Sequence, residues 1–257
     1  MNVRPKKALG QHFLRNDDIC ARIASELTLH DGYQKVVEVG PGMGALTKFL
    51  LSNTAFETSV VEIDRESVDY LNVHYPQLRG RIFEQDFLRM DLTKFFGENF
   101  AVAGNYPYNI SSQIVFRILD YKEYIPEMVG MFQKEVAIRF ASGPGNKDYG
   151  IISVLAQAWY DIEYLFTVDE NEFIPPPKVK SGVIRMKRKT RHVLGCDEKL
   201  FKQVVKTSFN QRRKTLRNSL KSMLPPGIDT TDVLFNQRPE QLSVEEFVGL
   251  TNRIGGI

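Results

Sequence analysis

The chain has 257 residues, of which 42% are hydrophobic and 25% charged, as in ordinary globular proteins. This length predicts one large domain or two unequal ones. The absence of an apolar run of about 18 residues excludes a membrane span, and the basic N-terminus lacks the apolar region of a secretory signal. Cys20 and Cys196 are too few for a disulfide framework and lack the spacing of a zinc site. We therefore expect a cytoplasmic protein without a metal.

The net charge of +3 is the sum of three blocks of opposite sign. Residues 1–16 carry four cations and no acid, residues 17–177 carry 13 Lys and Arg against 24 Asp and Glu, and residues 178–257 carry 17 against 7. Within 178–221 the imbalance is 15 to 2. Because clusters of one sign attract a polyanion, both ends of the chain are candidate contacts for nucleic acid.

The first two thirds of the chain alternate β-branched runs with helical patterns. The predicted strands are 35–40, 58–64, 81–86, 100–105, 127–132 and, after a proline-rich segment, 182–186. The predicted helices between them are 45–51, 66–74 and 111–119. This alternation is typical of βαβ crossovers and predicts an α/β fold with a mainly parallel sheet and helices on both faces.

After residue 195 the hydrophobic period becomes that of a helix. The apolar residues that would share one helical face are Leu200, Phe201, Val204, Val205 and Phe209. Ser243 and Glu246 form a capping-box pattern before another helix. We therefore predict two domains. The first is 1–190, including the basic segment 1–16, and the second is a small, basic, helical domain at 191–257.

A glycine-rich turn follows the first predicted strand, in the sequence VVEVGPGMG (36–44), and a helix is expected from Ala45. Glycines let the backbone turn sharply and approach a ligand closely. About twenty residues later, the second strand ends in Glu62 and Asp64, either of which could accept hydrogen bonds from ribose hydroxyls. The alternatives are a turn that binds nothing and a solvated strand-end charge.

The spacing of these glycines is G-x-G-x-G after Glu38, whereas dinucleotide sites have G-x-G-x-x-G. A ligand without a pyrophosphate, such as S-adenosylmethionine, therefore suits this loop better than a dinucleotide does. At the end of the third strand, Asp86 could accept a hydrogen bond from the exocyclic amine of the cofactor adenine. An ordinary helix N-cap is the alternative role for Asp86.

The fourth strand ends in NYPYNIS (105–111), at the edge of an open α/β sheet where ligands bind. Asn105 Oδ1 and the backbone carbonyl of Tyr106 can accept hydrogen bonds from an adenine N6 amine. After Pro107, Tyr108 can stack on the base. Catalysis would then depend mainly on positioning and electrostatics, and no general base is evident. The alternative is a turn that only begins the next helix.

Together these segments resemble the ribosomal RNA adenine N6,N6-dimethyltransferase family, the small-subunit enzymes that confer kasugamycin sensitivity. The matching segments occur in the family's order and span nearly the whole chain: KKALGQHFL, VVEVGPGMGALT, VVEID, EQDFL, NYPYNIS, FIPPPKVKSGVIRM and FNQRRKTLRNSL. Many methyltransferases share the glycine loop, whereas NYPYNIS and FNQRRKTLRNSL are specific. The resemblance implies a Rossmann-like class I methyltransferase fold with a small helical C-terminal domain, and S-adenosyl-L-methionine as the cofactor.

The resemblance also implies two adjoining sites. The residues that would contact the cofactor are His12, Leu14, Gly40, Glu62, Asp86 and Asn105. The residues that would hold the target adenine are Asn105, Tyr106, Pro107, Tyr108 and Phe173. Phe173 would stack on the base opposite Tyr108, and a core residue that anchors its loop is the alternative. Two positions depart from the family, since Tyr106 stands where Leu or Ile is usual and His12 where Asn is frequent.

Basic residues recur at steps of four or seven through the predicted C-terminal helical region, at Lys202, Lys206, Arg213, Arg217 and Lys221. An unbroken helix would place them in one stripe, with Leu216 and Leu220 facing the core. The residues expected to contact RNA phosphates are Lys6, Lys7, Arg15, Lys206, Arg212, Arg213, Lys214, Arg217 and Lys221. A solvated helix face is the alternative.

The resemblance implies methylation of N6 on two adjacent adenosines near the 3′ end of small-subunit (16S) ribosomal RNA during ribosome biogenesis. We expect the partner to be this RNA in a pre-30S particle, with no membrane involved, and the chain to act as a monomer. The alternatives are a large-subunit enzyme of the macrolide-resistance type and a non-catalytic assembly factor on the same scaffold. The glycine spacing disfavours a dehydrogenase.

Overall fold

The computed structural model describes residues 3, 5, 6, 9–191 and 193–256. Its strands are β1 (Phe13–Leu14), β2 (Lys35–Val39), β3 (Glu57–Glu62), β4 (Ile82–Glu84), β5 (Ala101–Asn105), β6 (Glu127–Gln133), β7 (Tyr160–Val168), β8 (Phe173–Ile174) and β9 (Ser181–Arg188). Its helices are α1 (Asp17–Ser25), α2 (Thr47–Ser52), α3 (Arg65–His74), α4 (Leu92–Phe96), α5 (Ser111–Asp120), α6 (Lys134–Ala141), α7 (Ile151–Gln157), α8 (Glu198–Asn210), α9 (Leu216–Ser219), α10 (Val233–Asn236) and α11 (Val244–Gly255). None of the helices in these described ranges is long and apolar enough to cross a bilayer.

A seven-stranded sheet has the order β4-β3-β2-β5-β6-β9-β7. The pairs among β4, β3, β2, β5 and β6 are parallel, and β6 pairs with β9 in the antiparallel direction. Val36 faces Thr58 on one side and Ala101 on the other, so the carboxyl ends of β3, β2 and β5 meet at one edge. The predicted α/β fold with a mainly parallel sheet is therefore confirmed, as are all six predicted strands.

Helix α1 begins where a side chain satisfies its free N–H groups. Asn16 Oδ1 accepts from the backbone N–H groups of Asp18 and Ile19 at 3.0 and 3.3 Å, which fixes the start of α1. Helix α2 begins at Thr47 and not at Ala45, because the glycine loop continues as a turn through Leu46. This delay leaves a longer loop beside the carboxyl edge of the sheet.

A hydrophobic core covers one face of the sheet. Val36, Ala103 and Val129 come from three neighbouring strands and pack with Cys20 and Ile23 of α1, all of them at most 1% exposed. These strands are buried and nearly continuous in hydrophobic residues, as parallel strands between helices require. The core therefore fixes the register that brings the polar strand ends together.

The chain divides into two compact units by the contacts of its backbone. The first unit runs to Ala137 and resumes from Asp161 to Arg188, and the second comprises Ile138–Tyr160 and the residues from Lys189 onward. The boundary expected after residue 190 lies near the second of these crossings. The predicted first domain includes residues 138–160, whereas the backbone contacts group these residues with the C-terminal unit.

The second unit has its own apolar centre, formed by residues that are at most 1% exposed: Phe201, Val204, Val205, Leu216, Leu220, Phe235, Phe247 and Leu250. Helix α11 begins at the predicted capping box, in which Ser243 Oγ accepts from Glu246 N and the Glu246 carboxylate accepts from Ser243 N. The expected helical C-terminal region is thus confirmed, and it buries Leu216 and Leu220 as predicted.

The unbroken helix that a single basic stripe would require does not form. Helix α8 ends at Asn210, the chain turns at residues 211–214, and the short α9 follows. The backbone N–H of Leu216 donates to Gln237 O at 2.8 Å, so the burial of Leu216 and this bond redirect the chain. The basic residues therefore do not share one helix: they lie on α8, in the turn at 211–214, on α9 and, for Lys221, in the turn after α9.

Candidate cofactor and base site

A cavity of about 430 Å³ opens at the carboxyl edge of the parallel strands, within the first unit. Its wall comes from the segment before α1, the glycine loop after β2 and the ends of β3, β4 and β5. Ligands of open α/β sheets bind at this edge, and the volume lies in the range of small-molecule sites. All six residues predicted to contact the cofactor border this cavity, namely His12, Leu14, Gly40, Glu62, Asp86 and Asn105.

The glycine loop requires its glycines at two crowded positions. Gly42 has a φ of +54°, and a Cβ there would lie 2.8 Å from the Phe13 ring. Gly44 has a φ of +82°, and a Cβ there would lie 2.5 Å from the Tyr75 ring, whose hydroxyl donates to Gly44 O at 2.9 Å. Both residues are therefore excluded from carrying a side chain, so the loop backbone forms the cavity wall.

Glu62 ends β3 as a buried carboxylate bound by backbone donors. Its oxygens accept from the N–H groups of Gly42 at 3.1 Å, Ile63 at 2.8 Å and Asp64 at 2.9 Å. Burial raises the pKa of Glu62, and these hydrogen bonds act in the opposite direction. A carboxylate offers about four acceptor positions, so acceptor capacity remains for a ligand hydroxyl. Glu62 thus ties the glycine loop to the neighbouring strand end.

Asp64, the other candidate for ribose, does not border the cavity. Lys6 Nζ lies 2.5 Å from Asp64 Oδ1 and 3.0 Å from Glu66 Oε1, and Ser67 Oγ donates to Asp64 Oδ2 at 3.0 Å. Burial raises the pKa of Asp64, but the bonds from Lys6 and Ser67 outweigh it and hold this pKa below its ordinary value. Lys6, expected on RNA, is therefore paired within the protein, and Lys7 lies outside the described residues.

Glu38, for which the sequence predicts no role, is 2% exposed and borders the same cavity. Thr47 Oγ1 donates to its carboxylate at 2.5 Å. Burial raises the pKa of Glu38 to about 8, against the opposing effect of the Thr47 hydrogen bond. One signal in the sequence could have identified it: Glu38 is the single acid in the otherwise largely apolar strand KVVEV. An acid in such a strand is expected where the strand lies beside a ligand site.

The stability of the free protein should fall with rising pH because of Glu38. A raised folded-state pKa means that the folded protein holds this proton, so the stabilisation is complete below pH of about 4.5 and is lost as pH rises through about 8. Replacing Glu38 with glutamine should remove this loss, which urea unfolding between about pH 5 and 9 would measure. All other groups titrate in both proteins. Parallel stability curves for the two would contradict the assignment.

The turn after β5 presents the groups predicted to hold adenine. Asn105 Nδ2 donates to the backbone carbonyl of His12 at 2.9 Å, which orients the amide so that Oδ1 is its acceptor side. The Tyr108 ring stacks on the His12 imidazole with centroids 5.4 Å apart, and its hydroxyl lies 2.6 Å from Ser181 Oγ. Pro107 borders the cavity between them. The structure thus brings Asn105, Pro107 and Tyr108 together at one wall.

The side chain of Tyr106 is buried and therefore unsuited to contact an adenine base. The ring is 1% exposed and lies on Gly104 and Gly130, where a Cβ would come within 2.6 and 2.1 Å of it. Among the described residues its hydroxyl has no hydrogen-bond partner. The two glycines make room for this aromatic ring. The backbone carbonyl remains the part of Tyr106 that suits the predicted role.

Phe173 lies in the core and does not border the cavity. It is 1% exposed, it pairs with Leu14 across the antiparallel ribbon of β1 and β8, and both residues belong to the main hydrophobic cluster. This placement matches the alternative of a core residue that anchors its loop. Asp86 borders the cavity. Its side chain accepts from Leu88 N at 2.9 Å at the start of a turn, whereas the alternative role of a helix N-cap would require a helix there.

The basic residues predicted to bind RNA in the second unit are exposed, except Arg212, which is half-buried. Arg217 donates to Thr230 O at 2.6 Å and to Asn236 Oδ1 at 3.0 Å, and Arg212 lies 3.8 Å from Glu240. In the first unit, Arg15 donates to Asn171 O at 3.0 Å. Several predicted RNA contacts therefore also hold the protein's own loops.

A mainly parallel sheet with a glycine loop after β2, a strand-end glutamate and a polar turn after β5 defines a Rossmann-like class I methyltransferase. A family model described as ribosomal RNA adenine dimethylase matches residues 2–255. The chain belongs to this family.

Similar proteins include two named ribosomal RNA small subunit methyltransferase A. That of Parabacteroides distasonis is 62% identical over 97% of this chain and 93% of its own length. That of Cytophaga hutchinsonii is 58% identical over 99% and 98%. A dimethyladenosine transferase from Plasmodium falciparum has a TM-score of 0.76 at 20% identity and covers 95% of this chain and 98% of its own. The 23S rRNA methyltransferase ErmE has a TM-score of 0.68 at 25% identity and covers 95% and 99%.

Proposed function

We propose that this chain transfers methyl groups from S-adenosylmethionine to N6 of two adjacent adenosines near the 3′ end of small-subunit ribosomal RNA. It would act as a monomer on a pre-30S particle in the cytoplasm. The observation that carries the proposal is the Asn105–Tyr108 turn, which borders the same cavity as the glycine loop and Glu62. Relatives named small subunit methyltransferase A favour the small subunit over the large one.

The cavity fits a nucleoside cofactor because its donors and acceptors occur where such a ligand needs them. Glu62 would accept from the ribose hydroxyls, Asp86 from the adenine amine, and the backbone at Gly40 would face the methionine part. His12 and Leu14 would close this site from the segment before α1. When bound, S-adenosylmethionine supplies a sulfonium methyl group that is already a good electrophile.

The turn after β5 would position the acceptor. Asn105 Oδ1 and the carbonyl of Tyr106 would accept the two N6 hydrogens of adenine, which turns the nitrogen lone pair toward the methyl group. Tyr108 would hold the plane of the base, with Pro107 fixing its distance from Asn105. This arrangement lowers the barrier through orientation and preorganised dipoles, so it needs no strong general base.

Methyl transfer to isolated ribosomal subunits tests this proposal. Radiolabelled S-adenosylmethionine is supplied to small and large subunits that lack methylation at their target adenosines. We expect label in the RNA of the small subunit with the wild-type protein and, over the same incubation, only a small fraction of it with Asn105→Ala. Label in the large subunit alone would establish the macrolide-resistance type of activity instead. No transfer by either protein would favour an assembly factor.

The exposed cations of the second unit should contribute to RNA affinity without supporting the fold. Replacing Arg213 and Lys214 with alanine should weaken binding to small subunits and reduce the salt slope by about one per lost phosphate contact. Arg217→Ala should also lower the unfolding free energy, because it removes bonds to Thr230 O and Asn236. Filter binding across a salt series, with thermal unfolding of each variant, separates the two effects. An unchanged slope in the double variant would refute this role.

A further inference from the structure

A short ribbon joins the segment that borders the cofactor cavity to the proline-rich loop. Strand β1 pairs with β8 in register, Phe13 with Ile174 and Leu14 with Phe173. The N–H of Arg15 extends the ribbon by donating to Glu172 O at 2.9 Å. Phe13 also packs over Gly42 of the glycine loop. Strand pairing and this further hydrogen bond therefore link the two segments directly.

His12 stands where this ribbon meets the base-holding turn. Its Nδ1 lies 2.7 Å from the carbonyl oxygen of Pro175, and because a carbonyl only accepts, this nitrogen carries the proton and donates. Its own carbonyl accepts from Asn105 Nδ2, and its ring stacks on Tyr108. One residue thus contacts the proline-rich loop, the amide that would accept from N6 and the ring that would hold the base.

Tyr108 contacts the other end of the proline-rich loop. Its hydroxyl lies 2.6 Å from Ser181 Oγ, at the first residue of β9 and directly after the proline-rich loop. The loop at 174–180 is therefore held at its beginning by His12 and at its end by Tyr108. Most of its residues between these points are exposed, including Ile174 and Val179 at 48% and 42%. The middle of the loop is therefore accessible to a ligand, while each of its ends contacts a residue that borders the cavity.

We propose that His12 is a positioning residue that couples cofactor binding to binding of the target RNA, by holding the proline-rich loop to the Asn105–Tyr108 turn through its Nδ1–H. This inference rests on the proposed function. A cofactor that orders the segment around His12 prepares Asn105, Tyr108 and the loop for the base. Coupling between two sites is reciprocal, so bound RNA must tighten cofactor binding by the same factor.

Three substitutions separate the parts of this role. In His12→Asn, the side-chain amide nitrogen can occupy the position of Nδ1 and still donate to Pro175 O. In His12→Phe, a ring can still stack on Tyr108, but no donor remains. His12→Ala removes both contacts. Thermal unfolding establishes that each variant is folded before binding is compared.

The dissociation constant of S-adenosylhomocysteine, measured by calorimetry with and without undermethylated small subunits, tests the coupling. We expect the subunits to tighten binding about fivefold or more for the wild type, to have almost no effect for His12→Ala and His12→Phe, and to keep most of their effect for His12→Asn. Equal coupling in the wild type and His12→Ala would overturn the inference, as would His12→Asn behaving like His12→Ala. If the wild type binds both ligands without coupling, this inference alone fails. If it neither binds nor methylates small subunits, the proposed function fails with it.

Discussion

Replacing Asn105 with alanine should lower the rate of methyl transfer by about 10²- to 10³-fold, the usual cost of removing one preorganised dipole from a reacting centre. The expected loss is large because Asn105 has two roles. Its Nδ2 donates to His12 O, which orients the amide, and its Oδ1 is left to accept from the N6 amine. Single-turnover methyl transfer to small subunits, at saturating cofactor, measures the chemical step directly.

Two variants control this result. Asn105→Asp keeps an acceptor but loses the donor to His12 O, so we expect a rate between those of the wild type and Asn105→Ala. Asn72→Ala changes an exposed asparagine on helix α3 and should leave the rate unchanged. A rate for Asn105→Ala within about threefold of the wild type would show that the amide does not act on the reacting nitrogen.

Glu62→Gln should weaken binding of S-adenosylmethionine by roughly ten- to a hundredfold, since hydrogen bonds to a charged group contribute about 1.5–3 kcal/mol. Both carboxylate oxygens accept from backbone N–H groups, at Gly42 and at Ile63 and Asp64. In Glu62→Gln, the amide nitrogen would take the place of one of these oxygens, and its N–H groups would then face a backbone N–H donor. The loss of charge also removes the stronger acceptor for ribose. Calorimetric titration of the free protein measures the effect.

Glu84→Gln is the matched control for this experiment. Glu84 faces Glu62 in the register of β4 on β3, but its side chain is exposed and does not border the cavity. We expect its dissociation constant to stay within about twofold of the wild-type value. If Glu84→Gln weakens binding as much as Glu62→Gln does, the effect is one of general charge and the ribose assignment is wrong.

The sheet could be predicted from sequence because its strands are local patterns. Runs such as KVVEV are buried on both faces, so they are apolar almost without interruption and visible in the sequence alone. The glycine loop, Glu62 and the NYPYNIS turn were found for a related reason. They directly follow those strands, and the parallel arrangement brings the strand ends to one edge.

The features that could not be predicted depend on contacts between distant segments. The sequence does not reveal that Lys6 pairs with Asp64, or that Gly104 and Gly130 make room for Tyr106. The break after α8 is of the same kind, because no glycine or proline marks it and tertiary packing of Leu216 overrides the helical pattern. Local propensity gives way to tertiary packing at such positions.

The identity of the methylated nucleotides tests the proposed function most directly. Small subunits that lack the modification are incubated with the wild-type protein and S-adenosylmethionine, and the RNA is digested and analysed by mass spectrometry. We expect two adjacent adenosines near the 3′ end, each with two methyl groups on N6, and unmodified large-subunit RNA. Methylation of any other nucleotide or atom, or of large-subunit RNA in place of the small, would contradict it.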